Sequence, residues 1–385
     1  MGALPRIVQV NAAFDPAASS PEELLDSYST LTRWSEAMQA WAAVSVVQRF
    51  GRRASTTRAG VTYSFVDDGH PPLLPRGSGS APVVTAVAAA RPDIVHVNGL
   101  VFPALVGALR AALPTGTALV VQDHAGAVPP ALARWRRRAW PPGLEHADAF
   151  TFTSRAQAEP WLRAGLLGNA RVLEIVESGA RLEPVPRDAA RGITGMTGSP
   201  VVLVVARLVA GKDPATTVAV LDQALAAMPA ARAAWIWNGE SPLEEDVRAR
   251  VARSPVLAER LALVGPVAPA QMASWYSAAD VFLSTSRAEG SGYALIEAMA
   301  CGLVPVVTDI PPFRAIAGPC GLYYPVGGAA AGADALVRAG APGATNRATV
   351  RARFETALAW PAIAARTQAA YTAIFEDRRT RREPA

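Results

Sequence analysis

Short runs rich in Val, Ile and Leu, four to six residues each, recur at Ile7–Val10, Val61–Val66, Ile94–Val97, Leu119–Gln122, Ala149–Thr153 and Val172–Val176, with helical stretches between them. Runs this short and this continuously apolar predict strands buried on both faces, which requires a parallel sheet with helices as crossovers. The series then begins again at Val201–Ala206, Ala234–Trp237, Leu261–Val264, Val281–Leu283 and Val304–Thr308. A chain of 385 residues exceeds one ordinary core, so the doubled series predicts an α/β protein with two doubly wound, Rossmann-like domains.

The break between the series lies in Glu183-Pro184-Val185-Pro186-Arg187 and in Gly192 to Pro200, where Pro, Gly and small polar residues crowd together. An interdomain linker is expected there, with a first domain over 1–187 and a second over 188–359. Helical spacing over 360–378 predicts a last helix that crosses back onto the first domain. Gly77-Ser78-Gly79-Ser80 predicts a loop, and Arg378 to Ala385 a frayed charged tail.

Composition narrows the function classes. An apolar fraction of 51% and a charged fraction of 18% fit a folded globular chain. Met1 to Val10 has neither a basic leader nor a cleavage-type small-residue site, and no apolar run approaches the roughly 18 residues that span a bilayer, so a cytoplasmic location is expected. Cys301 and Cys320 lack metal or disulfide spacing, and the four histidines are scattered, so no metal site is expected. The net charge of +5 suits an anionic partner without choosing one. Of the 37 basic residues, Lys212 alone is lysine. A coding bias toward arginine accounts for the others; the survivor is a candidate for work that needs a compact ammonium.

That lysine sits in Arg207-Leu208-Val209-Ala210-Gly211-Lys212-Asp213-Pro214, directly after the first strand of the second domain. Ligands of doubly wound sheets bind beyond the carboxyl ends of strands, so Arg207 and Lys212 are placed to meet one anion. Pro214 marks a helix start, whose free N–H groups add attraction for phosphate. Further on, Ser286-Arg287-Ala288-Glu289-Gly290-Ser291-Gly292-Tyr293-Ala294-Leu295-Ile296-Glu297 carries a strand through a glycine turn into a helix that runs to Gly302. The amides of Gly290, Ser291, Gly292 and Tyr293 then form a second anion site. Glu289 beside such a site repels phosphate, and is better explained as an acceptor for sugar hydroxyls. Glu297, among Leu295, Ile296, Ala298 and Met299, needs a polar partner such as two ribose hydroxyls.

Arg207-x4-Lys212 followed by Glu289-x7-Glu297, with Leu263-Val264-Gly265-Pro266-Val267 and Ala279-Asp280-Val281-Phe282-Leu283-Ser284 between them, resembles the donor half of the retaining glycosyltransferases of family four, strongly over about 200–325 and loosely elsewhere. The resemblance implies the GT-B fold, two Rossmann-like domains facing a central cleft, and metal-independent, configuration-retaining transfer from a nucleotide-diphosphate sugar. By the same resemblance the donor is of the UDP or GDP type. No other cofactor is expected, and fixed positive charge on the diphosphate takes the place of a metal. Arg207 and Lys212 would hold the diphosphate, with the Gly290–Gly292 amides on its distal phosphate. Glu297 would bind ribose, Glu289 the transferred sugar, and the segment around Gly265 the base.

In the first domain Leu119-Val120-Val121-Gln122 ends in Asp123-His124, which puts His124 at a strand's carboxyl end as a candidate to bind the sugar or assist the acceptor proton. His96 is its rival, with the plainer reading of a hydrogen-bonded core histidine. The first strand–helix loop, Asn11-Ala12-Ala13-Phe14-Asp15-Pro16, lacks the glycine pair common in the family, and Arg314 stands where an acidic residue is common. Arg134-Trp135-Arg136-Arg137-Arg138, with Trp140 and Leu144, is either a solvated basic face or a peripheral membrane contact that would bring the enzyme to a lipid-linked acceptor. The acceptor, whether saccharide, lipid-linked or small molecule, is unknown, as is the oligomeric state. No nucleic-acid module is recognisable. A dinucleotide-dependent oxidoreductase is disfavoured, because no Gly-x-Gly-x-x-Gly follows an early strand. A non-catalytic sugar-nucleotide-binding protein of the same fold is the alternative.

Overall fold

A computed structural model of the chain describes residues 4–70, 74–75, 77–124, 142–176, 178–180, 182–341 and 346–380. It divides into two compact units, Met1–Glu177 with Trp360–Ala385, and Ser178–Ala359. The division falls at Glu177/Ser178, ten residues before the expected boundary, and inside the stretch expected as a linker Arg187–Thr194 is a helix that packs on helix Met272–Ala278 of the second unit. Arg187 and Arg191 both pair with Asp280, which directly precedes a strand of that unit.

Among the described residues the first unit forms eight strands: β1 (Arg6–Asn11), β2 (Ala43–Arg49), β3 (Ala54–Arg58), β4 (Val61–Val66), β5 (Ile94–Asn98), β6 (Ala118–Gln122), β7 (Ala149–Phe152) and β8 (Arg171–Glu174). Their order is β3-β4-β2-β1-β5-β6-β7-β8, and every pairing is parallel except β3 with β4. Strand β3 escaped the apolar pattern because Ala-Ser-Thr-Thr-Arg lies on an open edge, where only one side chain ladder needs burial. Ala59 and Gly60, at φ +47° and +80°, make the tight hairpin between β3 and β4.

Both faces of this sheet are covered, as the continuous apolar runs require. Val8, Val10, Val95 and Val97 point into one core, while Ile7, Ile94 and Val120 point into the other. The second core is closed by helix Ser29–Met38 and by helix Trp360–Thr380, which contributes Ile363, Ala364, Tyr371 and Ile374. Polar clasps fix the end of that long helix: Arg378 pairs with Asp148 and donates to the Thr115 carbonyl, and Asp377 pairs with Arg171 at 3.2 Å.

The second unit has, among the described residues, a wholly parallel sheet ordered β11-β10-β9-β12-β13-β14. The strands are β9 (Val201–Val205), β10 (Arg232–Ile236), β11 (Leu261–Gly265), β12 (Val281–Ser284), β13 (Val304–Thr308) and β14 (Leu322–Tyr324). Chain progression runs outward from β9 to β11, then returns to the other side of β9 as β12. The strand order therefore reverses between β9 and β12, and loops leaving the two strands diverge there to open a crevice. In the first unit the same reversal falls between β1 and β5.

Candidate functional site

A cavity of about 410 Å³ opens at the reversal point of the second sheet. Arg207, Lys212, Glu289, Gly292, Tyr293 and Glu297 all line it, so one lysine turn and one glycine turn, about 80 residues apart in sequence, face the same space. Gly290 and Ser291 lie in the turn but not on the cavity wall. Gly265 also stays off the wall; its backbone, at φ +79°, lets the chain turn so that Val267 lines the cavity instead.

Lys212 closes a short 3-10 turn, Ala210–Lys212, whose position is set from across the crevice. The Arg287 amide donates to the Gly211 carbonyl at 2.9 Å, and the Thr285 hydroxyl donates to the Lys212 carbonyl at 2.7 Å. Thr217 lies 2.6 Å from the same hydroxyl, oxygen to oxygen. Asp213 follows in the left-handed region at φ +51°, a conformation Asp tolerates better than most residues. It caps helix Pro214–Ala227 through Thr216, and its other carboxylate oxygen lies 2.8 Å from Arg287. The Lys212 ammonium consequently points at the Glu289 carboxylate and forms an ion pair with it, both side chains about one-fifth exposed.

The glycine turn is fixed by sterics. Gly292 caps helix Tyr293–Ala300 at φ +66°, and a Cβ there would lie 2.4 Å from Ile316 Cδ1. The left-handed backbone and the close approach of Ile316 together favour glycine here. The first-turn amides of that helix have no intrahelical acceptor and give its N-terminus a positive field. Glu297 is buried one turn into the helix, with its residue on the cavity wall. The remaining wall is largely apolar: Trp237, Val267, Pro269 and Met272 line it, with Phe313 from helix Pro311–Ala317. Asn238 supplies a polar group beside Trp237. Val267 belongs to the segment around Gly265 that the sequence had pointed to; Pro269, Met272, Phe313, Trp237 and Asn238 went unnoticed as wall residues, although Trp237 and Asn238 directly follow β10, the strand next to β9, where the carboxyl-end rule points. Arg314 lies off the wall, paired with Asp309 and stacked over Tyr323 at 4.6 Å.

His124 stands in the first unit, just past the end of β6, half-buried. Its Nε2 lies 2.9 Å from Asn98 Oδ1, and the Asn98 amide donates to Asn11, so the loop that lacks glycines is tied to the sheet by side chains. His96 is buried on β5, stacked at 4.5 Å on Trp34. Burial pushes both imidazoles down to about 4, so each ring is neutral near pH 7. The basic run at 134–138 and Trp140 lie outside the described residues. Among the described residues no three His, Cys, Asp or Glu side chains gather as a metal site, and no helix is long and apolar enough to cross a membrane.

Comparison with known proteins agrees with this geometry. Residues 199–340 match the family described as Glycosyl transferases group 1, and residues 31–174 match Glycosyltransferase Family 4. Two curated relatives, each named GDP-mannose:cellobiosyl-diphosphopolyprenol alpha-mannosyltransferase, come from Xanthomonas oryzae pv. oryzae and Xanthomonas campestris. The first is 29% identical over 251 residues, 64% of this chain and 64% of its own length; the second is 29% identical over 247 residues, 63% of each. The match thus spans under two thirds of those relatives. Among solved structures, sucrose-phosphate synthase from Thermosynechococcus elongatus superposes with a TM-score of 0.70 at 22% identity, covering 97% of this chain and 100% of that one. Anabaena HepE in complex with UDP-glucose gives 0.66 at 16% identity, covering 96% and 100%. At such identities the likeness is one of fold, and the fold is GT-B, as expected.

Proposed function

Since the chain belongs to the group 1, family 4 glycosyltransferases, we propose that it moves a sugar from a nucleoside-diphosphate sugar, held in the cavity between β9 and β12, to an acceptor hydroxyl. The observation that carries the reading is the convergence of the only lysine, an arginine, a helix N-terminus and two glutamates on one cavity large enough for a ligand of this class. Arg207, Lys212 and the amides at the start of helix Tyr293–Ala300 take the diphosphate. Glu297 takes the ribose hydroxyls, Glu289 the hydroxyls of the sugar, and the wall of Trp237, Val267 and Met272 the flat base.

In this reading the cations act on the leaving group. Negative charge grows on the diphosphate as the glycosidic bond breaks, and preorganised positive charge stabilises that state more than the bound donor. A metal ion is then not needed. The anomeric configuration is retained, with attack on the face that the diphosphate leaves and the acceptor proton passing to the departing phosphate. His124 is the residue of the first unit proposed to assist there. The names of the Xanthomonas relatives support trying a guanine nucleotide first, and a lipid-linked acceptor first. A peripheral contact with the membrane would suit that acceptor.

Calorimetric titration with GDP, UDP, ADP and dTDP tests the site, followed by transfer and donor-hydrolysis assays with the matching mannose and glucose donors. One nucleotide should bind well, Glu297→Ala should weaken it, and activity should persist in a chelator. Unchanged affinity in Glu297→Ala removes the ribose assignment, binding without any transfer or slow hydrolysis supports a binding protein instead, and inactivation by chelator overturns the metal-free part.

A further inference from the structure

Six successive carbonyls, from Arg207 to Lys212, each receive a hydrogen-bond donor, so the loop is a bracket with a cation at either end. Three donors are local: the amides of Val209, Lys212 and Asp213 bond the carbonyls of Arg207, Val209 and Ala210 at 3.0, 2.9 and 3.1 Å. The other three reach in from elsewhere in the chain, and they are unevenly spread. The Lys212 end has two, the Arg287 amide on Gly211 and the Thr285 hydroxyl on Lys212. Among the described residues the Arg207 end has one, the Ser241 hydroxyl, which donates to the Leu208 carbonyl.

The direction of that bond is fixed from behind. Ser241 Oγ accepts from the Leu243 amide at 3.1 Å, which leaves its single hydrogen to point at Leu208. Ser241 stands in the loop that leaves β10, four residues after the wall residue Trp237, and the chain passes from it into helix Glu244–Arg253. Trp237 donates to Glu244 at 3.4 Å and carries Arg248 over its ring at 5.4 Å, which ties the loop to that helix. The hydroxyl is therefore a hook on a firm base.

What the hook sets is a peptide plane. A trans peptide places C=O and N–H on opposite edges of one plane, so the Leu208 carbonyl and the Val209 amide turn together. Ser241 holds the first, and the second donates back to the Arg207 carbonyl across a turn of the γ type. The buried Leu208 side chain pins its own residue in the core but leaves the plane beyond it free to rotate. Without Ser241 that plane is held at one edge only, and the Arg207 carbonyl loosens with it. The Lys212 side chain also has Glu289 to steady it, whereas Arg207 is exposed and has no ion-pair partner among the described residues. Its aim into the cavity is set by the backbone.

We propose that Ser241 is a positioning residue: by holding the Leu208–Val209 peptide it keeps Arg207 aimed at the diphosphate, and it ties the base side of the cavity, at Trp237 and Asn238, to the phosphate side. The inference rests on the proposed role of Arg207 in binding the diphosphate.

Calorimetry on the full chain, with whichever of GDP and UDP binds more tightly and with its nucleoside, tests this. Ser241→Ala should weaken the diphosphate about fivefold, the worth of one ordinary hydrogen bond, and leave the nucleoside within about twofold. Ser241→Thr keeps the hydroxyl and should stay within about twofold of wild type. In an Arg207→Ala background Ser241→Ala should cost nothing more, since the group it aims is gone. An equal loss in both backgrounds, or a nucleoside weakened as much as the diphosphate, overturns the proposal and leaves Ser241 a folding role. Unchanged diphosphate affinity in Ser241→Ala beside a weakened Arg207→Ala overturns it too, whereas an Arg207→Ala that binds like wild type sinks the reading of Arg207 beneath it. Hydrogen exchange over 207–212, read without ligand, should speed up in Ser241→Ala and not in Ser241→Thr. Exchange unchanged in both removes the hook, whatever the protein binds.

Discussion

The Lys212 ammonium rests on the Glu289 carboxylate, across 77 residues of sequence and from the opposite lip of the crevice. The cation proposed to hold a diphosphate is thus occupied by the carboxylate proposed to hold the sugar. A nucleoside diphosphate lacking its sugar must compete for that ammonium, whereas a complete donor supplies hydroxyls for Glu289 at the same time. Glu289→Gln should therefore bind the nucleoside diphosphate about threefold more tightly, in keeping with the modest worth of a partly solvated pair. Transfer should fall by about 10²-fold or more in the same variant. Weaker nucleotide binding in calorimetry would show that the pair does not compete with the ligand.

Lys212→Ala should cost transfer about 10²–10³-fold in kcat and also lower Tm somewhat, since the pair is only about one-fifth exposed and the change leaves Glu289 without that cation. Arginine is a poor substitute here: its planar fork is longer than the ammonium and cannot lie against both Glu289 and a phosphate from the same backbone position. Lys212→Arg should recover less than about a tenth of the activity. Steady-state kinetics beside a melting curve checks both.

The Thr285 hydroxyl donates to the Lys212 carbonyl and sits against Thr217, so it sets where the lysine turn stands. Thr285→Val keeps the shape and leaves a half-buried carbonyl without that donor, at a cost of about 1 kcal/mol in stability. Activity should drop on the order of tenfold as Lys212 shifts, while Thr285→Ser should retain most of it. If valine and serine behave alike in kcat/KM, the lysine turn is held by its backbone bonds alone.

Gly292→Ala meets two obstacles together, a left-handed backbone and an Ile316 methyl at 2.4 Å from the new Cβ. Destabilisation of about 2–4 kcal/mol is expected. Pairing the change with Ile316→Val should restore a small part of it, because trimming the methyl relieves the clash but not the φ strain. Chemical denaturation of the two variants separates the contributions.

Acid should weaken the first unit through His96. Its folded value, pushed down to about 4 by burial, lies below the ordinary histidine value of about 6.5, so the unfolded chain takes up a proton that the folded chain refuses. Stability should be full above about pH 6.5 and fall by up to ~1.4 kcal/mol per pH unit as pH drops toward 4, then level off for this group. His96→Gln should flatten that slope in urea titrations run at successive pH values. A slope unchanged by the substitution would place the proton uptake elsewhere.

Much of the candidate site was legible because its chemistry is local. Arg207 with Lys212, and Glu289 through Glu297, each sit within one strand–turn–helix passage, so spacing alone placed them at strand ends. The apolar strands were legible for the same reason. What escaped is nonlocal or defined by contact. Thr285 looks like any strand-end hydroxyl until the Lys212 carbonyl is seen above it. Trp237 and Met272 are ordinary core types whose exposure to a cavity depends on the whole sheet. The Tyr371 contact with His96 spans 275 residues, and no periodicity announces it. At 183–200, Pro and Gly misled, because a helix pinned by Asp280 starts inside them.

The helix Trp360–Thr380 completes the first unit although the whole second unit precedes it in the chain. On a ribosome, the second unit is therefore able to finish folding while the first still lacks a wall of its core and the partner of His96. The usual vectorial order, with the amino-terminal domain maturing first, is inverted here. A nascent chain stalled before residue 360 would present an open apolar sheet face, the state in which a chaperone has most to do.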